Sequence, residues 1–488
     1  MVYFRLVNGH SDSSVSLARR VEKSLHENFS FTPTPSQEKL LYALGRFVAS
    51  DKENCLLVVK GYAGTGKTTT VNALIKTIPY FDYKYVMLAP TGRAAKVMSA
   101  YTRRPAFTIH KKIYFKQKTP TGGVFFVPGA NLHTNTVFIV DEASMIGAEN
   151  YSVSGGGDLL TDLFEYVFNG KNCRLILIGD GAQLPPVGSD YSPGLDLKYL
   201  KTSFHVTAAL AELTDVTRQK KDSGILDLAT QIRMALEKAD MGVFPLALPP
   251  GHDVVSLTGY ELQEALEDEF SKRGPEGAIL VTRSNKRANQ YNKEIRARVF
   301  FREEEISGGD FVMAVRNNYH WLDEKSGAGF IANGDVMEIS RLGKFREKYG
   351  FKFQEASVRL IDYSGEPETE VLLWLDALDI DSASMPKAAT DEVYRRTMME
   401  YEHLKTKKER MEALKKDPFY NALQVKFAYA VTCHKSQGGQ WPAVFVDQGY
   451  LTEEMLDTEY LRWLYTAITR ASEKLYMLNF SDKLFSVD

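Results

Sequence analysis

The stretch GYAGTGKTTT, residues 61–70, decides how this chain is read. It follows the apolar run Leu56-Leu57-Val58-Val59 and precedes Val71-Asn72-Ala73-Leu74-Ile75-Lys76, so a β-branched strand enters a glycine-rich loop and leaves it as a helix. Inside it, Gly61-x4-Gly66-Lys67-Thr68 has the P-loop spacing. Gly61, Gly64 and Gly66 let backbone N–H groups turn inward on phosphates, the helix presents its positive end, and Lys67 adds a point charge. Thr65 and Thr69 complete the cradle. Thr68 is expected to place its hydroxyl on Mg²⁺.

Two further strand ends carry matching chemistry. In NTVFIVDEASMIG the run Val137 to Val140 reads as a buried parallel strand that delivers Asp141 and Glu142 at its carboxyl end, where open α/β sheets bind ligands. Asp141 is assigned to the metal and Glu142 to polarising the attacking water. In CRLILIGDGAQLPPVG a third strand ends at Asp180, and Gln183 follows as a hydrogen-bonding group for a terminal phosphate or that water. A tight surface turn is the plain alternative there.

Bulk composition sets limits. A chain of 488 residues exceeds one ordinary core, so two to four domains are expected. A formal net charge of −2 excludes a surface basic everywhere, so a nucleic-acid partner needs a local basic channel. Cys55, Cys173 and Cys433 lie far apart, which leaves no zinc, iron–sulfur or disulfide framework. No run approaches the length of a membrane span and no signal peptide is visible. A cytoplasmic setting, in a bacterial or phage-infected cell, is the expectation.

With these motifs in place the sequence resembles a superfamily 1 helicase of the RecD-like and Dda-like branch. FTPTPSQEKLLYAL resembles the adenine-recognition segment, with Gln37 as base reader, and GYAGTGKTTT is motif I. LAPTGRAAKVM and TIHK resemble motif Ia and the short motif after it, VDEAS motif II, and GDGAQLPPVG motif III. LTDVTRQ carries Arg218, YAVTCHKSQGGQWPAVFVD resembles motif V, and LYTAITRASEKLYML, with Arg470, motif VI.

The resemblance implies an α/β fold of two RecA-like P-loop domains with parallel sheets. A first ATP-binding domain is expected over 31–212, after an N-terminal extension over 1–30 that reads either as a leader or as a partner-binding arm. A β-hairpin pin is expected at 113–136. The second domain is expected in two parts, 213–300 and 419–488, separated by an SH3-like β-barrel with a helical arm over 301–418. ATP with Mg²⁺ is the implied cofactor, Arg218 and Arg470 reach the γ-phosphate, and single-stranded DNA crosses both domains.

The residues that suit such a track are Pro90, Thr91, Arg93, Lys96, Thr108 and His110 in the first half. Thr432, His434, Lys435 and Gln437 answer them in the second. Either histidine also reads as an ordinary structural residue. Phe115, Phe125 and Phe126 flank Thr121-Gly122-Gly123 and read either as base-stacking pin residues or as core anchors. Gly439 is assigned no contact. From Thr390 to Lys416, Tyr394, Met398, Tyr401 and Leu404 recur at helical spacing, and the mixed charges around them describe a solvated arm.

The expected function is an ATP-dependent 5′-to-3′ DNA helicase in replication, recombination or repair. It is expected to work as a monomeric motor at single-strand/duplex junctions, beside single-strand-binding or replication proteins. Direction comes from the resemblance alone. An RNA helicase of the same superfamily and a translocase subunit that does not unwind stay open as alternatives.

Overall fold

A computed structural model describes residues 12–118, 124–147, 158–216, 223–238, 246–247, 253–323, 326–363, 365–481 and 484–486. The chain divides into two compact units. The first comprises Met1–Pro90, Ala94–Phe115 and Phe126–Leu236, and the second Thr91–Arg93, Lys116–Phe125 and Glu237–Asp488.

The first unit is built on β1 (Cys55–Gly61), β2 (Lys84–Ala89), β3 (Ala106–Thr108), β6 (Thr136–Val140), β7 (Arg174–Gly179) and β8 (Thr207–Leu213); β4 (Tyr114–Lys118) and β5 (Val124–Pro128) pair separately. Its sheet has the order β3-β2-β6-β7-β1-β8, and every neighbour is parallel. Alternation within the central strands explains why they are apolar throughout. Leu57, Val59, Val137, Ile139, Ile176 and Ile178 enter one core, while Leu56, Val58, Phe138, Val140, Leu175 and Leu177 enter a second core on the opposite face.

The first of these cores also holds Val21, Leu25 and Phe29, and Val21 and Leu25 come from the helix Asp12–Asn28. This corrects the expectation of a separate extension over 1–30. Gly45, on the helix Pro35–Val48, lets that helix come close: a Cβ there would sit 2.8 Å from the Ala18 carbonyl.

The division near 212 also moves. The helix Gly224–Lys238 buries Ile225, Leu228, Ala229, Ile232 and Ala235, and the first unit runs on to Leu236. Leu226, on the same helix, approaches Gly64 of the P-loop, which accounts for its place in that unit.

The second unit contains β9 (Leu246–Ala247), β10 (Val254–Leu257), β11 (Ala278–Thr282), β12 (Phe311–Ala314), β13 (Val336–Lys348), β14 (Phe351–Leu360), β15 (Thr369–Trp374), β16 (Leu423–Phe427), β17 (Ala430–Thr432), β18 (Trp441–Asp447), β19 (Ala471–Leu478) and β20 (Phe485–Ser486). Its parallel sheet has the order β10-β19-β18-β11-β17. A closed barrel, β12 to β16, interrupts it. The barrel closes through β16, which pairs with both β12 and β15, so the insertion extends past the boundary expected at 418. At its entrance Asp310 is fully buried and receives hydrogen bonds from Arg296, Arg302 and Tyr429, and it is ion-paired to both arginines. Removing one partner of such a network strands a buried charge, which costs about 3–5 kcal/mol.

Between β15 and β16, where a helical arm is expected, lie the helices Lys387–Glu400 and Lys407–Lys416. Val393 and Thr397 are the buried residues of the first helix, one position before the Tyr394 and Met398 of the sequence pattern, and Tyr394 is exposed. Val393 packs with Phe353, Leu372 and Trp374 of the barrel, and Glu400 of the same helix is ion-paired to Lys348 of β13, so the arm is held by apolar contact and by charge.

Candidate functional site

In the parallel order β6-β7-β1 the carboxyl ends of three adjacent strands deliver Asp141, Asp180 and the P-loop side by side. The loop has the backbone its glycines imply. Gly64 and Gly66 have φ of +74° and +87°, the left-handed region where a side chain is strained. At Gly61 the limit is space: a Cβ would lie 3.0 Å from the Thr65 hydroxyl and 3.1 Å from Leu213. The helix Lys67–Thr77 starts at Gly66 with no side-chain cap, so its first turn keeps the free positive end that suits an anion.

Lys67 Nζ donates to the Gly61 carbonyl at 2.6 Å and to that of Tyr62 at 3.0 Å. Thr65 is buried, and its hydroxyl donates to the Tyr62 carbonyl at 2.8 Å. Thr68 and Thr69 follow on the first helical turn, Thr68 exposed and Thr69 half-buried. Gln37 is 2% exposed and engaged at both ends: Oε1 accepts from Thr34 N within a capping box, and Nε2 donates to the Thr65 carbonyl at 3.0 Å. The segment expected to read adenine is thereby tied to the phosphate loop. Ser36, its neighbour, takes Asp215 into the same corner, with Ser36 N donating to Asp215 Oδ2 at 2.8 Å. These hydrogen bonds hold the Asp215 carboxyl below its ordinary range. Arg218, three residues on, lies outside the described residues.

At the end of β6, Asp141 Oδ1 accepts from Glu142 N at 2.9 Å, and Glu142 has φ +54°. A non-glycine residue held there is a strained backbone of the kind that gathers at reactive sites. Asp141 Oδ2 accepts from the Tyr101 hydroxyl at 2.9 Å, and the Thr68 side chain is among the groups that act on the same phenol. Burial and the two carboxylates push the Tyr101 phenol far above its ordinary value, so it remains a donor. Tyr101 carried no sequence signal; it is a lone aromatic on the helix Gly92–Thr102. Gln183 is 4% exposed, and its Oε1 has no partner among the described residues, which leaves an acceptor buried beside the site.

One hydroxyl, one carboxylate and phosphate oxygens form the donor set that Mg²⁺ takes, since this hard cation keeps several waters and needs few protein ligands. Thr68 and Asp141, brought to one phenol, fit it.

The expected strand contacts divide by environment. Thr108 is buried, and its oxygen caps the helix Ile109–Ile113 by accepting from Lys111 N, so it shapes the segment more than it opens onto a surface. Burial pushes His110 down to about 4, which keeps it neutral. Pro90, Thr91 and Lys96 are half-buried. Thr91–Arg93 belongs to the second unit, where the Arg93 guanidinium stacks 4.0 Å from the Trp441 ring centroid. Thr432 is half-buried, Gln437 buried, and the His434 imidazole is pushed down by burial. Burial brings Lys435 to about 8, and its ammonium donates to Asn333 Oδ1 in the Asn333-Gly334-Asp335 turn.

Arg470 is 4% exposed, and its guanidinium donates to the carbonyls of Thr466 and Gly439 and to the Thr469 hydroxyl. The Gly439 carbonyl is thus one of the acceptors that hold that arginine. Phe115 is exposed at the base of its hairpin, with its ring over Gly129. The turn at 121–123 and the side chains of Phe125 and Phe126 lie outside the described residues.

Two family models match the chain, an AAA domain over residues 42–242 and a UvrD-like helicase C-terminal domain over 427–478. The sequence is thus similar to an AAA domain in its first half and to a helicase C-terminal domain near its end. It is similar to the ATP-dependent DNA helicase dda of Enterobacteria phage T4, 27% identical over 274 residues, which is 53% of this chain and 55% of that protein. It is also similar to the ATP-dependent RecD2 DNA helicase of Deinococcus radiodurans, 32% identical over 174 residues, 36% of this chain and 21% of that one. The matches thus span about half and about a fifth of those relatives. A crystal structure of Pif1 helicase from Bacteroides with ADP-AlF3 and ssDNA aligns over 94% of this chain and 95% of that one, at 15% identity and a TM-score of 0.47. Among the described residues no helix is long and apolar enough to cross a membrane.

Proposed function

We propose that this chain is a superfamily 1 enzyme, an ATP-driven, Mg²⁺-dependent DNA helicase that moves 5′-to-3′ on single-stranded DNA and opens duplex ahead of it. The observation that carries the reading is the meeting of Lys67, Thr68, Asp141, Glu142 and the unpartnered Gln183 oxygen at adjacent strand ends of one sheet.

In this reading Lys67 leaves the two loop carbonyls for phosphate oxygens, and the N–H groups of the loop and first helical turn hold the rest of the phosphate chain. Mg²⁺, when bound, supplies charge neutralisation on those oxygens, and Thr68 and Asp141 are the residues that would hold it. Glu142, at its strained backbone, orients and deprotonates the attacking water, while Gln183 accepts from it. Arg218 and Arg470 are the arginines proposed to complete the site, and Arg470 belongs to the second unit, so that hydrolysis would depend on closure. Thr91, Arg93, Thr432, His434, Lys435 and Gln437 grip the strand, and the β4-β5 hairpin separates the duplex. Polarity rests on the likeness to the RecD-like and Dda-like branch.

The test is unwinding of fluorescent duplexes carrying 5′ or 3′ tails of DNA or RNA, with Glu142→Gln as control. Removing a general base costs about 10²–10⁴ in rate. The expected result is unwinding from the 5′ DNA tail only, with unwinding and ATPase falling together in the variant. ATPase stimulated by single-stranded DNA without unwinding from any tail would make the chain a translocase. An ATPase indifferent to nucleic acid would sink the motor reading.

A further inference from the structure

Tyr101 stands between two groups that the sequence assigned separately to the metal. Its hydroxyl donates to Asp141 Oδ2 at 2.9 Å, and the Thr68 side chain is among the groups that act on the same phenol. Asp141 Oδ1 is meanwhile fixed by Glu142 N at 2.9 Å. The backbone that carries the phenol is held as well, because Asn72 Nδ2, on the P-loop helix, donates to the Tyr101 main-chain carbonyl at 3.2 Å. Hydrogen bonds therefore run from Tyr101 through Asp141 to the backbone of the proposed base, with the P-loop threonine beside the phenol.

The direction of each bond matters. A threonine oxygen that gives a lone pair to a cation must send its proton elsewhere, and the Tyr101 oxygen beside it can accept. A carboxylate that gives one oxygen to a cation is oriented by donors on the other, the usual arrangement around metal ligands. Phenylalanine would fill the same space and provide neither function.

Tyr101 is also the penultimate residue of the helix Gly92–Thr102, whose opening residues include the proposed strand contact Arg93. At 1.5 Å per residue the two ends are roughly 13 Å apart on one rigid element.

We propose that Tyr101 is a positioning residue that aligns Thr68 and Asp141 for Mg²⁺ and ties that pair to the DNA-facing start of its helix. The proposal rests on the helicase reading for its DNA arm and on the P-loop alone for its metal arm. Coupling of two sites through one element is reciprocal, so single-stranded DNA should alter the apparent Mg²⁺ affinity.

The experiment measures binding of a fluorescent ADP to the full chain as Mg²⁺ is titrated, with and without single-stranded DNA, for wild type and Tyr101→Phe. Binding in EDTA and thermal melting serve as controls. Loss of a partner that orients a metal ligand costs about 10–100-fold in metal affinity. The expected result is a rise of about tenfold in half-saturating Mg²⁺, unchanged ADP binding in EDTA, and loss of the shift that DNA produces in the wild type. Equal half-saturation in the two proteins overturns the positioning role. A wild-type half-saturation indifferent to DNA overturns the link to the helix start. Failure of the helicase reading is separately visible, as wild-type ATPase that single-stranded DNA does not stimulate.

Discussion

Lys67 and Arg470 are both cations located by motif, yet they rest in opposite states. Lys67 is half-buried and held by two carbonyls of its own loop, while Arg470 is 4% exposed and held by two carbonyls and a hydroxyl from three residues. The first unit thus keeps its cation at the phosphate site, with acceptors that phosphate oxygens can replace. The second unit keeps its arginine satisfied inside its own fold. If Arg470 has the role proposed for it, its guanidinium must first give up three acceptors, and hydrolysis would wait for that rearrangement.

Arg470→Lys tests this contrast most severely. Lysine keeps the charge and loses the planar fork. A completing arginine is worth about 10³–10⁵ in rate, so ATPase should fall at least about 10³-fold with little change in DNA affinity measured without nucleotide. A fall of less than tenfold, with a lowered melting temperature, would make Arg470 a structural pin and erase the contrast with Lys67.

The same unit offers a test through pH. Asp335 is 1% exposed; its Oδ2 accepts from Ala332 N at 2.7 Å, its Oδ1 has no partner among the described residues, and burial pushes it to about 8. An ordinary aspartate titrates near about 3.9, so between the two values the folded chain keeps a proton the unfolded chain has released. Stability from this group is therefore full in acid and is lost as pH rises through about 8. Asp335→Asn cannot ionise. Relative to wild type the variant should gain about 2–3 kcal/mol between pH 6 and pH 8, read from denaturant midpoints at each pH. A constant difference would mean that the carboxyl stays ionised.

How much of this was legible varies with range. The P-loop, the Asp141-Glu142 pair and Gln183 could be read because each is a local pattern at the end of an apolar strand. The inserted barrel was visible as strands, but its closure by β16 was not, since parallel pairing with β15 joins segments about fifty residues apart. The outer half of the β13-β14 hairpin was hidden for another reason: Arg341, Lys344, Arg346 and Glu347 are largely exposed, so no alternation marks them as strand. The helix Asp12–Asn28 did carry a signal, Leu17, Val21 and Leu25 at four-residue spacing, which is periodicity without a chemical motif. Tyr101 carried none, because its role exists only once the helix that bears it lies against β6.

Gly439 gives the finest test of how the second unit stores its arginine. Its carbonyl accepts from Arg470, and a Cβ there would sit 2.4 Å from the Trp441 ring and 2.9 Å from Arg93 Nε. Glycine is thus required by the room that a stacked Trp441 and Arg93 leave, with no demand on its φ. Gly439→Ala forces the ring or the guanidinium aside, and overpacking of this kind costs about 1–3 kcal/mol. The lower half of that range is expected, because Arg93 is the end of a flexible side chain and can give way. A loss of about 1–2 kcal/mol in denaturant melts, with ATPase kept but single-stranded DNA binding weakened, would place the strain on Arg93. Loss of ATPase with DNA binding intact would instead place it on the Gly439 carbonyl and its hold on Arg470, and would bring the storage of that arginine within reach of a single methyl group.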